Sequence, residues 1–274
     1  MRLGLTGATG VLGQRLREAA GRQGLTVTPL TGDVRDRDNV TALVDACDVV
    51  IHAAAIVPVD TVRADLATAI AVNVGGTANV AQTVASAGKR LVYVSTSHVY
   101  RSAEAPLPES APIAPVSDYG FTKWQGEEWV RHLLPDALIV RLFSYFDSRQ
   151  AASYLVPALR RRTAAAPRGA SLELRGAGSV RDMADATWLA ETLVALLLGG
   201  ATGTVNCGTG QGYSIAEVAT RLSRAMQRED ITWTPVDDTS NSLVADTHRL
   251  TSALPDNKPF ELDAALARFV LDAQ

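Results

Sequence analysis

Tyr119 and Lys123 close the run Tyr-Gly-Phe-Thr-Lys, and on a helix their spacing of four puts the phenol and the amine on one face. A lysine cation beside a phenol favours the phenolate, so the tyrosine could exchange a proton with a carbonyl or a carbinol near neutral pH. A hydroxyl such as that of Thr96 could hold the same oxygen. A second stretch, Met1 to Gly13, reads MRLGLTGATGVLG. Its apolar run stops at Thr6-Gly7 and restarts as an amphipathic pattern, with Gly10 and Gly13 following at three-residue intervals. That is the signature of a strand, a tight turn and a helix. Glycine lets a pyrophosphate approach the first helix turn, where N–H groups lack partners and the helix dipole attracts an anion. Neither pattern means much alone. Their order gives them weight: the glycines sit on the first strand of a βαβ pattern, and the Tyr–Lys pair lies downstream of a hydroxyl-tipped strand.

The elements that must position these residues can be read in order. Leu12, Leu16, Ala19 and Ala20 form the buried stripe of the first helix. Leu25 to Leu30 is predicted as the second strand, and a short helix carries Val40, Leu43 and Val44. Between them lies Asp33, in Gly-Asp-Val-Arg-Asp. An acid about twenty residues past the glycines usually accepts the adenosine ribose hydroxyls, and Asp33 fits that count. Its context also suits the segment after a third strand that lies along the adenine, or a helix N-cap. NAD versus NADP stays open. Asp48 to His52 reads as a buried parallel strand, followed by Ala53, Ala54 and Ala55, small enough for a flat ring to lie against the backbone. His52 is expected to be a hydrogen-bonded structural histidine. A long helix is predicted from about Leu66 to Ala87, with Asn73 turned inward and needing a partner, a loop or a water beside the nicotinamide. Leu91 to Ser95 is a strand that delivers Thr96, Ser97 and His98 at its C-terminal edge. Pro106, Pro108, Pro112 and Pro115 then impose an extended loop, before a helix from Tyr119 to about Leu134.

The second half is predicted to carry helix 153–162, strand 171–174 ending near Arg181, helix 184–198, strand 204–206, helix 214–226, strand 231–235 and helix 262–271. The fold class that follows is α/β: a Rossmann-type doubly wound parallel sheet with a small C-terminal substrate lobe. Residues 1–150 would form the dinucleotide-binding core, and 151–274 would add sheet-completing elements and the lobe. The composition is globular, 47% hydrophobic and 20% charged, and a net charge of −3 gives no reason to expect nucleic acid or an anionic membrane as partner. The first strand begins at Met1, so no signal peptide fits, and no apolar run reaches membrane-spanning length. Cys47 and Cys207 have no metal-ligand spacing and are expected to be buried small hydrophobes in a reducing cytoplasm. No metal is expected.

With these residues in view, the chain resembles the extended short-chain dehydrogenase/reductases, the NAD-dependent epimerase/dehydratase group that acts on nucleotide sugars. The resembling stretches are TGATGVLG, GDVRD, VIHAAA, NVGGT, VSTSHVY, YGFTK, RLFS, YLVPAL, GSVRD, VNCGTG and VADTHRL, in family order from end to end. The first half most resembles dTDP-4-dehydrorhamnose reductases, and the part from RLFS to GSVRD is more similar to 4-epimerases. The resemblance implies that Tyr119 is the acid/base, Lys123 its partner and the nicotinamide-ribose anchor, and Thr96 the hydrogen bonder of the substrate oxygen. It implies that Gly7, Gly10, Val11 and Leu12 line the pyrophosphate and that Asp33 and Val34 lie at the adenine. Ala53, Ala54, Ala55, Asn73, Leu142 and Phe143 would surround the nicotinamide half. Ser97, Ser144, Tyr154 and Leu155 would face the sugar nucleotide, and Arg181 would hold its diphosphate, a task suited to a guanidinium fork. An ion pair of Arg181 with Asp182 or Asp185 is the alternative.

Departures from the family pattern sharpen the expected reaction. The 4,6-dehydratases carry Asp-Glu after the threonine, where this chain has Ser97-His98, which argues against dehydration. Trp188 stands where an acid is usual, and Asp238-Thr239-Ser240-Asn241 replaces an Arg-Pro-Gly-Asp, so one arginine on the nucleotide is missing. The expected activity is 4-keto reduction of a nucleotide-activated sugar with NAD or NADP. A nucleotide-sugar 4-epimerase using the same residues is the alternative, and a non-catalytic NAD(P)-sensing protein is the alternative of another class. The expected partner is the small-molecule substrate, with a homodimer left open.

Overall fold

The computed structural model describes residues 1–272. Chain order begins with β1 (Arg2–Thr6), α1 (Val11–Arg22), β2 (Thr26–Pro29), α2 (Arg37–Asp45) and β3 (Val49–His52). Next come α3 (Val59–Ala64), α4 (Leu66–Ile70), a π-helical turn at Ala71–Gly76, and α5 (Thr77–Ser86). Then follow β4 (Arg90–Thr96), a 3₁₀ turn at Ser97–Val99, α6 (Asp118–Leu133) and β5 (Leu138–Leu142). The helix expected over 66–87 is therefore continuous, with a π-helical turn joining its α4 and α5 portions. The Asp65 carboxylate accepts from Thr68 N at 3.0 Å and starts α4, and the π turn shifts the register so that Asn73 points inward.

These five strands and β9 (Gly203–Cys207) form one parallel sheet, in the order β2-β1-β3-β4-β5-β9. The strand order reverses between β1 and β3, which is where open α/β sheets bind ligands. Alternation along each strand divides the core into two layers. Leu3, Leu5, Val49, Ile51, Val92, Val94, Leu138 and Val140 pack on one face with Leu12, Leu16, Ala19 and Ala20. Val50, Leu91, Tyr93 and Ile139 face the other way, against Val40, Leu43 and Val44 of α2, Val80 and Val84 of α5 and Val130 of α6. Both layers are buried, as strands covered on both faces require.

The remaining elements are β6 (Ser144–Phe146), α7 (Leu155–Ala165), β7 (Ser171–Leu174), β8 (Val180–Asp185), α8 (Ala186–Leu198), β9 (Gly203–Cys207), β10 (Gly212–Ser214), α9 (Ile215–Ala225), β11 (Thr232–Pro235), β12 (Ser242–Leu243), α10 (His248–Ala253) and α11 (Leu262–Asp272). A short sheet runs β10-β8-β12, with β6 paired to β8, and β7 pairs with β11. Arg181 is thus not at the end of a strand over 171–174. It lies inside β8, opposite Tyr213 of β10 and Leu243 of β12. Among the described residues, no helix is long and apolar enough to cross a membrane.

Candidate functional site

The glycine turn forms because three backbones crowd together at the tip of β1. Gly7 has φ of 72°, which favours glycine, and a Cβ there would stand 2.7 Å from Ala54 N. A Cβ on Gly13 would meet Gly7 O at 2.1 Å, so that glycine seats α1 against the turn. Gly10 differs. Its Cβ would touch only Gly7 O, at an ordinary 3.4 Å. Helix α1 has no side-chain cap and no acid in its first turn, which leaves the amides near Val11 and Leu12 for an anion. The Thr6 hydroxyl ties the turn to the next strand, accepting from Ala53 N and Ala54 N at 3.1 Å each and bonding His52 Nδ1 at 2.7 Å. The other ring nitrogen of His52 meets Thr77 Oγ1 at 2.9 Å, and burial pushes the imidazole pKa down to about 3. It is a neutral structural histidine.

The turn leaves these amides open to an anion, and it yields a clean substitution. Gly10→Val is expected to fold normally yet lose dinucleotide binding, since its branched side chain would occupy the approach to the free amides. Gly13→Ala should unfold at a lower temperature through its clash with Gly7 O. Equilibrium dialysis with NAD(P)H and a melting curve check both; intact binding by Gly10→Val would remove the turn from the site.

The structure revises the setting of Asp33, not its place beside the turn. Both oxygens of Asp33 are taken by Arg35: Nη2 donates to Oδ2 at 2.6 Å and Nε reaches both oxygens, while Arg35 N donates to Oδ1 at 2.8 Å. Asp33 is also not the N-cap of α2; Asp36 is, accepting from Asp38 N and Asn39 N. No third strand precedes the segment, which follows β2 directly. Val34 is buried, and its carbonyl accepts from Asn79 Nδ2 at 2.8 Å.

The Tyr–Lys helix is placed by its cap. Ser117 Oγ accepts from Gly120 N at 3.1 Å and starts α6, and Gly120 lies so close to the 3₁₀ turn that a Cβ would stand 2.2 Å from His98 O. Tyr119 is thereby brought beside the tip of β4, where Thr96 Oγ1 accepts from His98 N at 3.2 Å and keeps its own proton to donate. Burial raises the Tyr119 pKa, the Tyr145 and Tyr154 phenols raise it further, and hydrogen bonding with Thr96 opposes them. The expected lowering by Lys123 is not what dominates here; burial wins, and the phenol is held as an acid. Lys123, 2% exposed, sits over the Tyr93 ring at 4.1 Å, and burial pushes its pKa down to about 7 against the raising effect of Glu127. Its ammonium makes no hydrogen bond among the described residues, as suits a group that awaits a ligand.

Asn73 finds a loop as its partner. Its Oδ1 accepts from Ile56 N at 2.8 Å, and its Nδ2 donates to Ile56 O at 3.0 Å and Thr122 Oγ1 at 3.1 Å, so it pins the segment after Ala55 to α6. Leu142, aligned with Thr96 across the sheet, is buried in the core. Phe143 lies in a cluster with Tyr100, ring centroids 6.4 Å apart. Ser97 is buried within the 3₁₀ turn, Ser144 pairs with Met183, and Tyr154 and Leu155 begin α7.

Arg181 makes no ion pair with either neighbouring acid. Asp182 accepts from Thr209 N, Thr209 Oγ1, Gly210 N and Ala245 N, and Asp185 caps α8 at Trp188 N and pairs with Arg268. The Arg181 guanidinium donates to Val180 O at 2.8 Å and Asn241 O at 3.1 Å, without a carboxylate partner among the described residues. Burial lowers its pKa, and its charge reaches His98, whose pKa is lowered by burial and by Arg181. His98 is edge-on to Tyr119, with ring centroids 5.7 Å apart. Thr96, His98 and Tyr119 therefore stand together, with Tyr145 and Tyr154 near the phenol and the Arg181 charge near His98, while Lys123 lies one turn along α6 with its ammonium over the Tyr93 ring. Tyr145 was missed in the sequence, although Ser144 next to it was named; a three-residue strand gives too short an alternation to show which way it points.

The model of the RmlD substrate binding domain matches residues 1–168. A dTDP-4-dehydrorhamnose reductase of Mycolicibacterium smegmatis is 37% identical over 145 residues, 51% of this chain and 44% of that protein. A dTDP-4-dehydrorhamnose reductase of Mycobacterium tuberculosis is 32% identical over 219 residues, 77% of this chain and 70% of that protein. Solved structures share the fold. An RMD protein of Pseudomonas aeruginosa complexed with NADPH superposes with a TM-score of 0.87 at 23% identity, covering 99% of this chain and 98% of that one. A UDP-glucose 4-epimerase of Stenotrophomonas maltophila with bound NAD gives a TM-score of 0.88 at 21% identity, covering 100% and 97%.

Proposed function

From the premise that the chain belongs to the family of the RmlD substrate binding domain, we propose that it is an NAD(P)H-dependent reductase of a nucleotide-activated 4-keto sugar. The observation that carries this reading is the meeting of Thr96 with Tyr119, on the helix that also carries Lys123, at the carboxyl edge of the sheet, near the strand-order reversal that holds the glycine turn. When bound, the nicotinamide supplies or accepts the hydride. The chain supplies the rest. Tyr119, kept protonated by burial, gives its proton to the carbonyl oxygen as that oxygen becomes a hydroxyl. Thr96 donates to the same oxygen, and a charged Lys123 steadies the phenolate that Tyr119 becomes. Asn73 and Ala53–Ala55 fix the backbone that faces the ring. NAD and NADP both remain within the reading, since Arg35 already neutralises Asp33.

Arg181 binds the diphosphate of the substrate in this reading, because a half-buried guanidinium without a carboxylate attracts an anion. Such binding is equal in ground and transition states, so Arg181→Ala should raise KM and leave kcat nearly unchanged. The lost charge-assisted bonds are worth about 1.5–3 kcal/mol, or about ten- to a hundred-fold in KM. The same change should be silent toward the free keto sugar; equal effects on both substrates would make Arg181 structural. The reaction itself is tested by adding NADPH or NADH with a dTDP-4-keto-6-deoxy sugar to the purified protein. Consumption of reduced cofactor with formation of the 4-hydroxy sugar supports reduction. Tightly retained NAD⁺ with interconversion of 4-epimers and no net consumption would replace it by epimerisation.

A further inference from the structure

One buried imidazole, that of His52, stands between the two halves of the site. Thr6, His52, Asn73 and Thr77 are fully buried and Thr122 is 1% exposed. Their bonds form a row, and each proton in it can be placed from the far end. Thr122 Oγ1 donates to Tyr119 O at 2.9 Å and so accepts from Asn73 Nδ2 at 3.1 Å. Thr77 Oγ1 donates to Asn73 O at 2.6 Å, which leaves it to accept from His52 Nε2 at 2.9 Å. Nε2 therefore carries the imidazole proton, and the bare Nδ1 accepts from Thr6 Oγ1 at 2.7 Å. The Thr6 oxygen in turn takes Ala53 N–H and Ala54 N–H at 3.1 Å each. We propose that His52, as its Nε2–H tautomer, is a positioning residue that ties the glycine turn to the helix of Tyr119 and Lys123: it is the middle link of one hydrogen-bonded row from Ala53 and Ala54 to the Tyr119 carbonyl.

Every bond in the row has a donor facing an acceptor, so the row holds together as one unit. An imidazole suits its centre because the ring is rigid and carries a donor and an acceptor on different sides, here reaching α5 and β1 from the end of β3. The row also needs the neutral ring that burial enforces. A proton on Nδ1 would meet a Thr6 oxygen that already holds two N–H donors. A second route leads from His52 to α6. Its ring packs on Tyr93 with centroids 5.7 Å apart, and the Lys123 ammonium sits over that same Tyr93 ring. The Tyr93 hydroxyl then donates to Lys123 O at 3.2 Å. In so buried a row, loss of one link leaves two partners unpaired, which costs more than the bond itself.

The proposal rests on the assignment of Tyr119 and the glycine turn to the reaction, and its first test needs no turnover. Imidazole nitrogen chemical shifts of the wild-type protein should report His52 as neutral, with its proton on Nε2, between about pH 5 and 8, where an ordinary histidine titrates. The second test breaks the row at Thr77, on α5. Thr77→Val, nearly the same in shape, should raise the Kd of NADPH and lower the single-turnover rate with the keto sugar together, each by about three- to thirty-fold. Thr77→Ser, which keeps the hydroxyl, should restore both. Thr83→Val is the control: this buried hydroxyl on the same helix donates to Asn79 O at 2.9 Å, off the row, and its loss should leave both quantities within about two-fold. A proton on Nδ1 of His52, equal losses in the two valine variants, or a Thr77→Val protein with either quantity unmoved would overturn the proposal. A wild-type protein that binds NADPH but never reduces the keto sugar would instead fail the reductase reading, with the tautomer and the Kd values still deciding on His52.

Discussion

Tyr119→Phe is expected to lower kcat by about 10²–10⁴-fold while leaving the dissociation constant of the nicotinamide cofactor within a few-fold of wild type. The factor is the usual worth of a positioned general acid. The change is confined to chemistry because a phenyl ring fills the same pocket, where the Tyr119 side chain packs with Val62 and Ala69. Only the hydroxyl disappears, and with it the proton for the carbonyl oxygen. Burial keeps that proton on the phenol in the wild type, so activity should not need a deprotonated tyrosine in the direction of keto reduction. Single-turnover reduction by enzyme-bound NADPH measures the chemical step directly. A Phe variant within ten-fold of the wild-type rate would remove Tyr119 from the mechanism.

What the sequence revealed divides along a physical line. Local, periodic signals were readable: the glycine turn, the buried stripes of α1 and α2, the β4 strand with its hydroxyl tip, and the Tyr–Lys spacing on α6 each depend on neighbours within one or two turns. Signals set by distant packing were not. Strands β6, β10 and β12 have three residues or fewer, too short for alternation to show, and β8 was hidden by the polar run through Arg181-Asp182. Whether Arg181 is paired depended on where Asp182 finds its donors, and those come from residues 209, 210 and 245. Asp33 met the expected count from the glycines, but its pairing with Arg35, two residues away in the same loop, is not something the count reports. The helix over 66–87 had the right apolar residues; its start at the Asp65 cap and its π turn depend on a cap and on inward polar bonds that hydrophobic period does not report.

Glu127 and Arg141 went unread for the same reason. On α6 the run Glu127-Glu128-Trp129-Val130-Arg131 resembles a solvated face, yet Glu127 is fully buried and Arg141 only 3% exposed in its side chain. Their pairing crosses from helix to strand, and Arg141 Nη1 continues to Tyr100 Oη at 2.6 Å and Glu109 O at 3.1 Å. Arg141→Met is therefore expected to destabilise the protein by about 3–5 kcal/mol, since removing one member of a buried pair strands the other charge. The double variant Arg141→Met with Glu127→Leu should be less damaged than the sum of its single changes, because no charge is then left behind. A pH signature accompanies this. In the wild type, burial pushes the Glu127 carboxyl up, and the bonds and charge of Arg141, with Ser95 and Arg131, outweigh it and hold the pKa below the ordinary carboxylate value. A depressed folded pKa contributes stability that is present above the unfolded value, near 4.5, and is lost as pH falls below it. Without Arg141, burial should win and the carboxyl should take up its proton at higher pH. The deficit of Arg141→Met should then be largest near neutral pH and shrink in acid, as the variant takes up that proton while wild type loses the contribution of its depressed carboxyl, and urea midpoints taken between about pH 4 and 8 would read the narrowing gap. A single variant as stable as wild type, or one whose deficit is the same at every pH, would show that the ion pair adds nothing to the fold and that the aliphatic packing around it suffices.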